Sequence, residues 1–180
     1  MKTEDSKILI QEKYADLAKK SLIRVQYSCS GNSSTLEESD YINYRKGLVD
    51  DLSEIADLLA GNNLPYLDIV PGKQNFVVAE IDHKIIGCVG FEGYEESGLL
   101  RSLAVCQNHR NLNIAHVLIE KILMLGQEQG IQEFYLLTTT ACNFFSKLGW
   151  KSINRDHASE GIKSTTEFTS ICPSVAVCMS

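Results

Sequence analysis

No apolar run in this chain approaches the length of a membrane span. The stretch Met1-Lys2-Thr3-Glu4-Asp5 lacks the apolar core of a signal peptide, so the cytoplasm is the expected location. There is no excess of basic residues either. The formal net charge is −6, whereas a general nucleic-acid binder needs a basic footprint. The six cysteines, at positions 29, 88, 106, 142, 172 and 178, form no C-x-x-C pair. No Cys/His grouping has the spacing of a structural zinc site, and no metal is expected. In a reducing compartment these cysteines read as free thiols, with soft-metal or arsenic capture by Cys172 and Cys178 as the alternative. What is present is a hydrophobic content of 44%, enough for a real core, in 180 residues that fit one domain with an appendage.

The chain is organised around Leu99 to Gly130. Leu99, Leu100, Leu103, Ala104 and Val105 form an apolar run of strand length, ending in the polar turn from Gln107 to Asn113. Ile114, Leu118, Ile122 and Leu125 follow at helical spacing, and Gly130 stands where a helix stop is expected. A strand feeding a turn at a helix N-terminus presents backbone N–H groups that suit an anion. The same shape also occurs as a βα unit that binds nothing.

Upstream, residues 6 to 22 read as a helix with Ile10, Tyr14, Leu17 and Ser21 on one face, followed by a polar linker from Ser28 to Thr35. This divides the chain into an N-terminal segment (1–40) and a domain (41–180). The tethered helix needs a surface to bury its stripe, either on its own domain or in a homodimer. Tyr41 to Arg45 suits a first strand, and Leu48, Leu52, Ile55 and Leu59 suit a helix. Phe76–Ile81 and Lys84–Phe91 flank the two-residue turn Asp82-His83 as a hairpin. Phe134–Thr139 is a strand, Ala141–Leu148 a short helix, Gly161–Phe168 a further helical stretch and Ser174–Met179 a last strand. The order β-α-β-β-β-α-β-α-β predicts an α/β (α+β) fold, a mixed sheet with helices on both faces.

These features resemble a GCN5-related N-acetyltransferase (GNAT) over roughly residues 41 to 179, and the resemblance implies that the mixed sheet is mostly antiparallel. The resemblance rests on the hairpin, on Leu103-Ala104-Val105 leading into His109-Arg110, on the long helix, and on Ala141-x-x-Phe144-Phe145-x-x-Leu148-Gly149-Trp150. The string Leu136 to Ala141, with the tail Phe168-x-x-x-Cys172-Pro173-x-x-Ala176, is similar to the arsenic-resistance N-acetyltransferase branch and, more loosely, to N-acetylglutamate synthase. Gln11 to Lys20 and the Ser/Cys/Gly tract after it resemble the opening of arsenite methyltransferases, without the methyltransferase core.

The resemblance implies acetyl transfer from acetyl-CoA to the amine of a small, amino-acid-like or organoarsenical molecule. Leu103, Ala104 and Val105 would bind the pantetheine arm. Arg110, Asn111, Leu112, Asn113, Ile114 and Ala115 would cradle the pyrophosphate, with Asn143 and Phe145 also at the cofactor. Asn113 replaces the central glycine of the turn pattern; asparagine tolerates left-handed geometry, but its side chain takes up space. The family's usual glutamate base falls on Leu99 and its usual tyrosine acid on Phe145. Glu92, or Glu95, could act through water instead, and Arg101 could hold a substrate carboxylate with help from Arg155 and Lys163. His109 and His116 bracket the phosphate turn, and Cys106 reads as a small buried thiol. The competing class is a GNAT-fold module that binds an acyl-CoA or small ligand without turnover. A third reading is a metalloid sensor using Cys29, Cys172 and Cys178.

Overall fold

The computed structural model describes residues 41–180. The N-terminal helix and linker, and with them Cys29 and the dimer contact read from that helix, lie outside the described residues. In chain order the domain runs β1 (Asn43–Lys46), α1 (Leu52–Gly61), β2 (Asn75–Ile81), β3 (Lys84–Tyr94), β4 (Ser97–Val105), α2 (Ile114–Glu128), β5 (Glu133–Thr138), α3 (Cys142–Lys147), β6 (Ser152–Ile153), α4 (Glu160–Lys163) and β7 (Val177–Met179). The seven strands form one sheet in the order β1-β2-β3-β4-β5-β7-β6. Every neighbouring pair is antiparallel except β4 with β5, which run parallel across the crossover through α2.

Alternation along β2 sorts its side chains onto two cores. Val77 and Ala79 pack with Ile114, Leu118 and Ile122 of α2, while Phe76 and Val78 pack with Ile55 and Leu59 of α1. Successive strand residues face opposite sides of a sheet, so α1 and α2 cover opposite faces. The expected mixed sheet with helices on both faces is therefore what forms. Asp82 and His83 sit at φ 48° and 61°, the pair of positive angles that a two-residue hairpin turn needs to match strand twist. Arg45 ties β1 to the start of α1 through Asp51 (2.6 Å) and to β2 through Glu80 (2.9 Å). Among the described residues no helix is long and apolar enough to cross a membrane.

Two details depart from the sequence reading. The two-residue strand β6 is too short to show an alternation. The helical stretch expected over Gly161–Phe168 is instead α4 and a separate π-helical turn, Glu167–Ile171, broken at Ser164 and Thr165. A π turn carries an extra residue per turn and is frequent at functional sites.

The helix α2 is held against the sheet by a glycine contact. A Cβ on Gly126 would overlap the Phe134 ring, which is also pressed by Gly98 and lies edge-on to Phe91 at 5.6 Å. In an open helix Gly→Ala gains up to about 1 kcal/mol. Here the overlap reverses the sign, and Gly126→Ala is expected to cost about 1–3 kcal/mol. At roughly 2–4 °C per kcal/mol for a domain of this size, thermal unfolding should show a lowered Tm. A raised Tm would contradict this packing.

Candidate active site

Hydrogen bonding between β4 and β5 ends at the pair Leu100 and Leu136. Beyond it the strands part, and a bulge in β4 is the local cause. Cys88 pairs with Ala104 and Gly90 with Arg101, so three steps on β4 are matched by two on β3. Ser102 takes φ 58° within this extra residue's span, and its carbonyl accepts the Cys88 thiol at 3.3 Å. A bulge bends and twists its strand. On the other side Thr138 Oγ1 accepts the Ala141 N–H at 2.9 Å, turning the chain from β5 into α3.

The gap holds two chambers, of about 790 Å³ and 400 Å³, that share Leu103, Thr140 and Ala141 as common walls. Backbone N–H groups alternate between the two edges of a strand. Cys106 donates to Ile86 O of β3 at 2.8 Å, so the Val105 N–H faces the opposite edge, where β5 has already diverged.

The larger chamber continues to the N-terminus of α2. Asn111 and Asn113 stand at φ 65° and 62°, and Asn113 makes no side-chain cap on the helix. The first helical bond there runs from Val117 N–H to Asn113 O, at 3.2 Å. The amides of Ile114, Ala115 and His116 are thus left for a ligand, at the positive end of a fifteen-residue helix. Asparagine takes the left-handed geometry expected of the missing glycine, and the mouth stays open. Arg110 braces the turn by donating to Val105 O (3.3 Å) and to Asn62 Oδ1 (2.6 Å) at the end of α1. His109 also lines this chamber, with a buried Nδ1 that makes no hydrogen bond to any described residue.

The smaller chamber has an ionic wall. Arg101, 2% exposed at its side chain, binds Asp68 through Nη1 (2.5 Å) and Nη2 (2.8 Å). Its Nη1 also meets Glu92 Oε1 at 2.7 Å, and its Nε lies 3.2 Å from Glu167 Oε2. Glu92 is fully engaged. Oε1 also accepts Gln74 at 2.9 Å, and Oε2 accepts the Tyr94 hydroxyl at 2.5 Å with Lys73 at 3.4 Å. Burial works against its charge, but the hydrogen bonds from Tyr94, Gln74 and Arg101 outweigh it and hold its carboxyl below the ordinary range. Glu167 goes the other way. Burial pushes its carboxyl up against the pull of Arg101, with Asp68 and Glu92 adding to the push. Its Oε1 accepts only the Cys172 thiol, at 3.7 Å, and its Oε2 has no aligned hydrogen-bond donor.

The structure thus gathers Leu103, Ala104, Val105, Arg110, Asn111, Asn113, Ile114, Ala115, His109 and His116 around one chamber, and Arg101, Phe145 and Cys172 around the other. Several expected roles need correction. Glu92 lines neither chamber, and both its oxygens are spent on the wall, so it is not a free base. Arg101 is saturated by protein carboxylates and is not a free receptor for a substrate carboxylate. The Leu112 side chain packs into the core, so only its backbone remains for the turn role expected of it, and Asn143 lines neither chamber. Arg155 stacks on Phe168 at 4.6 Å and donates to the carbonyls of Phe168 and Pro173, while Lys163 pairs with Glu160. Cys178 is buried in a small cluster with Leu99 and Tyr135. Among the described residues no group of His, Cys, Asp and Glu is arranged to hold a metal. Glu167 and Asp68 are the residues that sequence reasoning missed.

Comparison with known proteins agrees with this geometry. Residues 72–152 match the acetyltransferase (GNAT) domain family. An uncharacterized N-acetyltransferase of Chlorobaculum tepidum is 31% identical over 96 residues, which cover 53% of this chain and 61% of that relative. The matched stretch therefore spans about three fifths of the relative's length. A GNAT-family acetyltransferase from Staphylococcus aureus superimposes with a TM-score of 0.60 at 19% identity, covering 77% of this chain and 97% of that one. N-acetylglutamate synthase from Neisseria gonorrhoeae, complexed with coenzyme A and N-acetyl-glutamate, gives 0.65 at 18% identity, covering 79% of this chain and 35% of that one. The fold is the GNAT fold, and a GNAT acetyltransferase domain is matched by sequence within it.

The two buried glutamates should respond oppositely to substitution. Glu167 has a folded-state pKa above its unfolded one, so it costs stability as pH rises past the ordinary carboxylate value of 4.5. Glu167→Gln should leave Tm at pH 7.5 unchanged or raised, with any gain gone at pH 4. Glu92 has a folded-state pKa below its unfolded one, so its contribution is present at neutral pH and lost on acidification. Glu92→Gln should cost about 3–5 kcal/mol at pH 7.5 and less at pH 3. Thermal melts of the two variants across pH check both signs, and equal losses at pH 7.5 would contradict the assignment.

Proposed function

We propose that the chain is a GNAT-family N-acetyltransferase that moves acetyl from acetyl-CoA to the amine of a small acceptor. The observation that carries this is the parted pair β4 and β5, which leaves the Val105 amide facing a chamber that runs on to the uncovered amides of α2. A volume of about 790 Å³ is within the range of small-molecule sites. The turn Asn111 to Ala115 suits the diphosphate, because successive amides with left-handed residues between them form an anion cradle. The edge Leu103 to Val105 suits the pantetheine arm, which can bond to the strand as a further strand would. When bound, acetyl-CoA supplies an acetyl carbon activated as a thioester.

The chain's own residues then position and polarise. Free amide donors on β4 are placed to stabilise negative charge on the thioester oxygen. The acceptor approaches from the smaller chamber, whose walls Leu103, Thr140 and Ala141 are common to both. An amino-acid-like or organoarsenical acceptor, suggested by the family resemblance, would need a free cation, and Arg101 is already neutralised. The second reading, a module that binds acyl-CoA without turnover, is favoured by Phe145, which stands where a hydroxyl donor would be expected.

Calorimetry with acetyl-CoA followed by a thiol-release assay over a panel of amines separates the two readings. Binding with release for at least one amine is the expected result, and binding with no release supports the module. Asn113→Gly should tighten acetyl-CoA binding by about twofold to tenfold, up to ~1.4 kcal/mol, because it removes a side chain from the phosphate turn while keeping its geometry. Unchanged or weaker affinity would count against placing the diphosphate there.

A further inference from the structure

The smaller chamber contains a carboxylate that none of the roles above uses. Glu167 is 8% exposed, lines the chamber, and carries a buried Oε2 without an aligned donor. The one cation near that oxygen is Arg101 Nε, at 3.2 Å, which instead donates to Ser102 Oγ at the same distance. Buried acceptors in native proteins are almost always satisfied, so an unsatisfied one on a residue that lines a cavity points to an absent donor.

Charge narrows what that donor is. Arg101 is the sole cation among the described residues lining the chamber, and its guanidinium is consumed by Asp68 and Glu92. Lys73, 3.4 Å from Glu92, is the other cation of this wall. Two positive groups thus face three carboxylates, Asp68, Glu92 and Glu167, and the wall carries an excess negative charge. Arg155 does not line the chamber; it stacks on Phe168, gives its Nη groups to the carbonyls of Phe168 and Pro173, and keeps a buried Nε without a partner among the described residues. An acceptor carboxylate entering here would meet a carboxylate and find no unspent cation among the described lining residues. An ammonium would meet a carboxylate whose Oε2 has no aligned donor. The rest of the lining includes Leu64, Leu137 and Ile171, which suit an apolar body behind the amine.

We propose that the smaller chamber seats a cationic primary amine bearing no carboxylate, and that Glu167 is the catalytic residue that receives its ammonium and takes its first proton. This rests on the acetyl-CoA reading above. The ammonium nitrogen gives one proton to Glu167, leaving a neutral amine and a carboxylic acid. The nitrogen–carbon bond forms as the carbon–sulfur bond breaks. The second proton passes from nitrogen to the departing sulfur, and Glu167 returns its own to solvent. Atoms and charge balance as ammonium plus thioester giving amide, thiol and one proton. Burial holds Glu167 at a higher proton affinity than an ordinary carboxylate, which suits the task. The groups facing it are Arg101 on β4, Asp68 from the loop after α1, Glu92 and Tyr94 on β3, and Cys172 beyond its own turn.

The test uses the full chain, acetyl-CoA and matched pairs of amines and their carboxylated parents: tyramine with tyrosine, histamine with histidine, agmatine with arginine. Thiol release should favour at least one decarboxylated amine over its parent by about tenfold or more in kcat/KM. Glu167→Gln should lower kcat for that amine by about a hundredfold or more and remove the acid limb of its pH profile. Acetyl-CoA affinity by calorimetry should stay within about twofold of wild type, and Glu167→Asp should restore part of the rate. Preference for the carboxylated parents, or a Glu167→Gln rate within about threefold of wild type, overturns this inference alone. No turnover of any amine despite bound acetyl-CoA overturns this inference and replaces the enzyme reading with the binding module. Absence of acetyl-CoA binding by the wild-type chain overturns the parent reading and this one with it.

Discussion

The architecture depends on the parting of two parallel strands. β4 and β5 share a ladder only as far as Leu100 and Leu136. Past that point one extra residue in β4 bends it away, and both chambers follow from the gap. A sheet that stayed closed would satisfy the Val105 amide with β5 and leave no cavity between the strands. Opened, it leaves donors on a strand edge in the interior of a domain, where unsatisfied groups are costly. A ligand that hydrogen-bonds like a strand removes that cost. The same turn that ends β4 leads into α2, so a second set of unbonded amides lies at the end of the same chamber.

The second organising element is the buried guanidinium of Arg101. It draws Asp68 from an irregular loop and Glu92 from β3, and it brings Glu167 from the π turn to the chamber wall. Such a cluster is weak as a source of stability, because removing charges from water costs about as much as their attraction returns. Its effect is to fix the wall. Glu92 is stabilised as an anion within it, whereas Glu167 is held where burial disfavours its charge. A group kept at a cost to folding is the usual mark of a group kept for function.

Much of this was legible in the residues alone. The 3.6-residue period of Ile114, Leu118 and Ile122 placed α2, and the two-strand pattern around Asp82 and His83 placed the hairpin, because local chemistry and tertiary packing agree there. Asn113 could be read as a residue able to stand in for glycine, and its φ of 62° bears this out. The bulge could not be read, since Ser102 carries none of the glycine or asparagine signal that usually marks a left-handed residue. Nor could the state of Arg101. Its partners Asp68 and Glu167 lie far away along the chain, one in a proline-containing segment without periodicity and the other inside what reads as one helix. The role of a charged side chain depends on which other charges folding brings beside it, and that information is long-range.

On the proposed reading, donors exposed by the strand parting and by the start of α2 grip the cosubstrate. Residue-resolved amide hydrogen exchange of the full chain, with and without saturating acetyl-CoA, tests it most directly. Slowed exchange is expected at Val105 and at Ile114, Ala115 and His116, with β1 and β2 unchanged. Acetyl-CoA that binds and slows exchange elsewhere, leaving these four amides untouched, would contradict it.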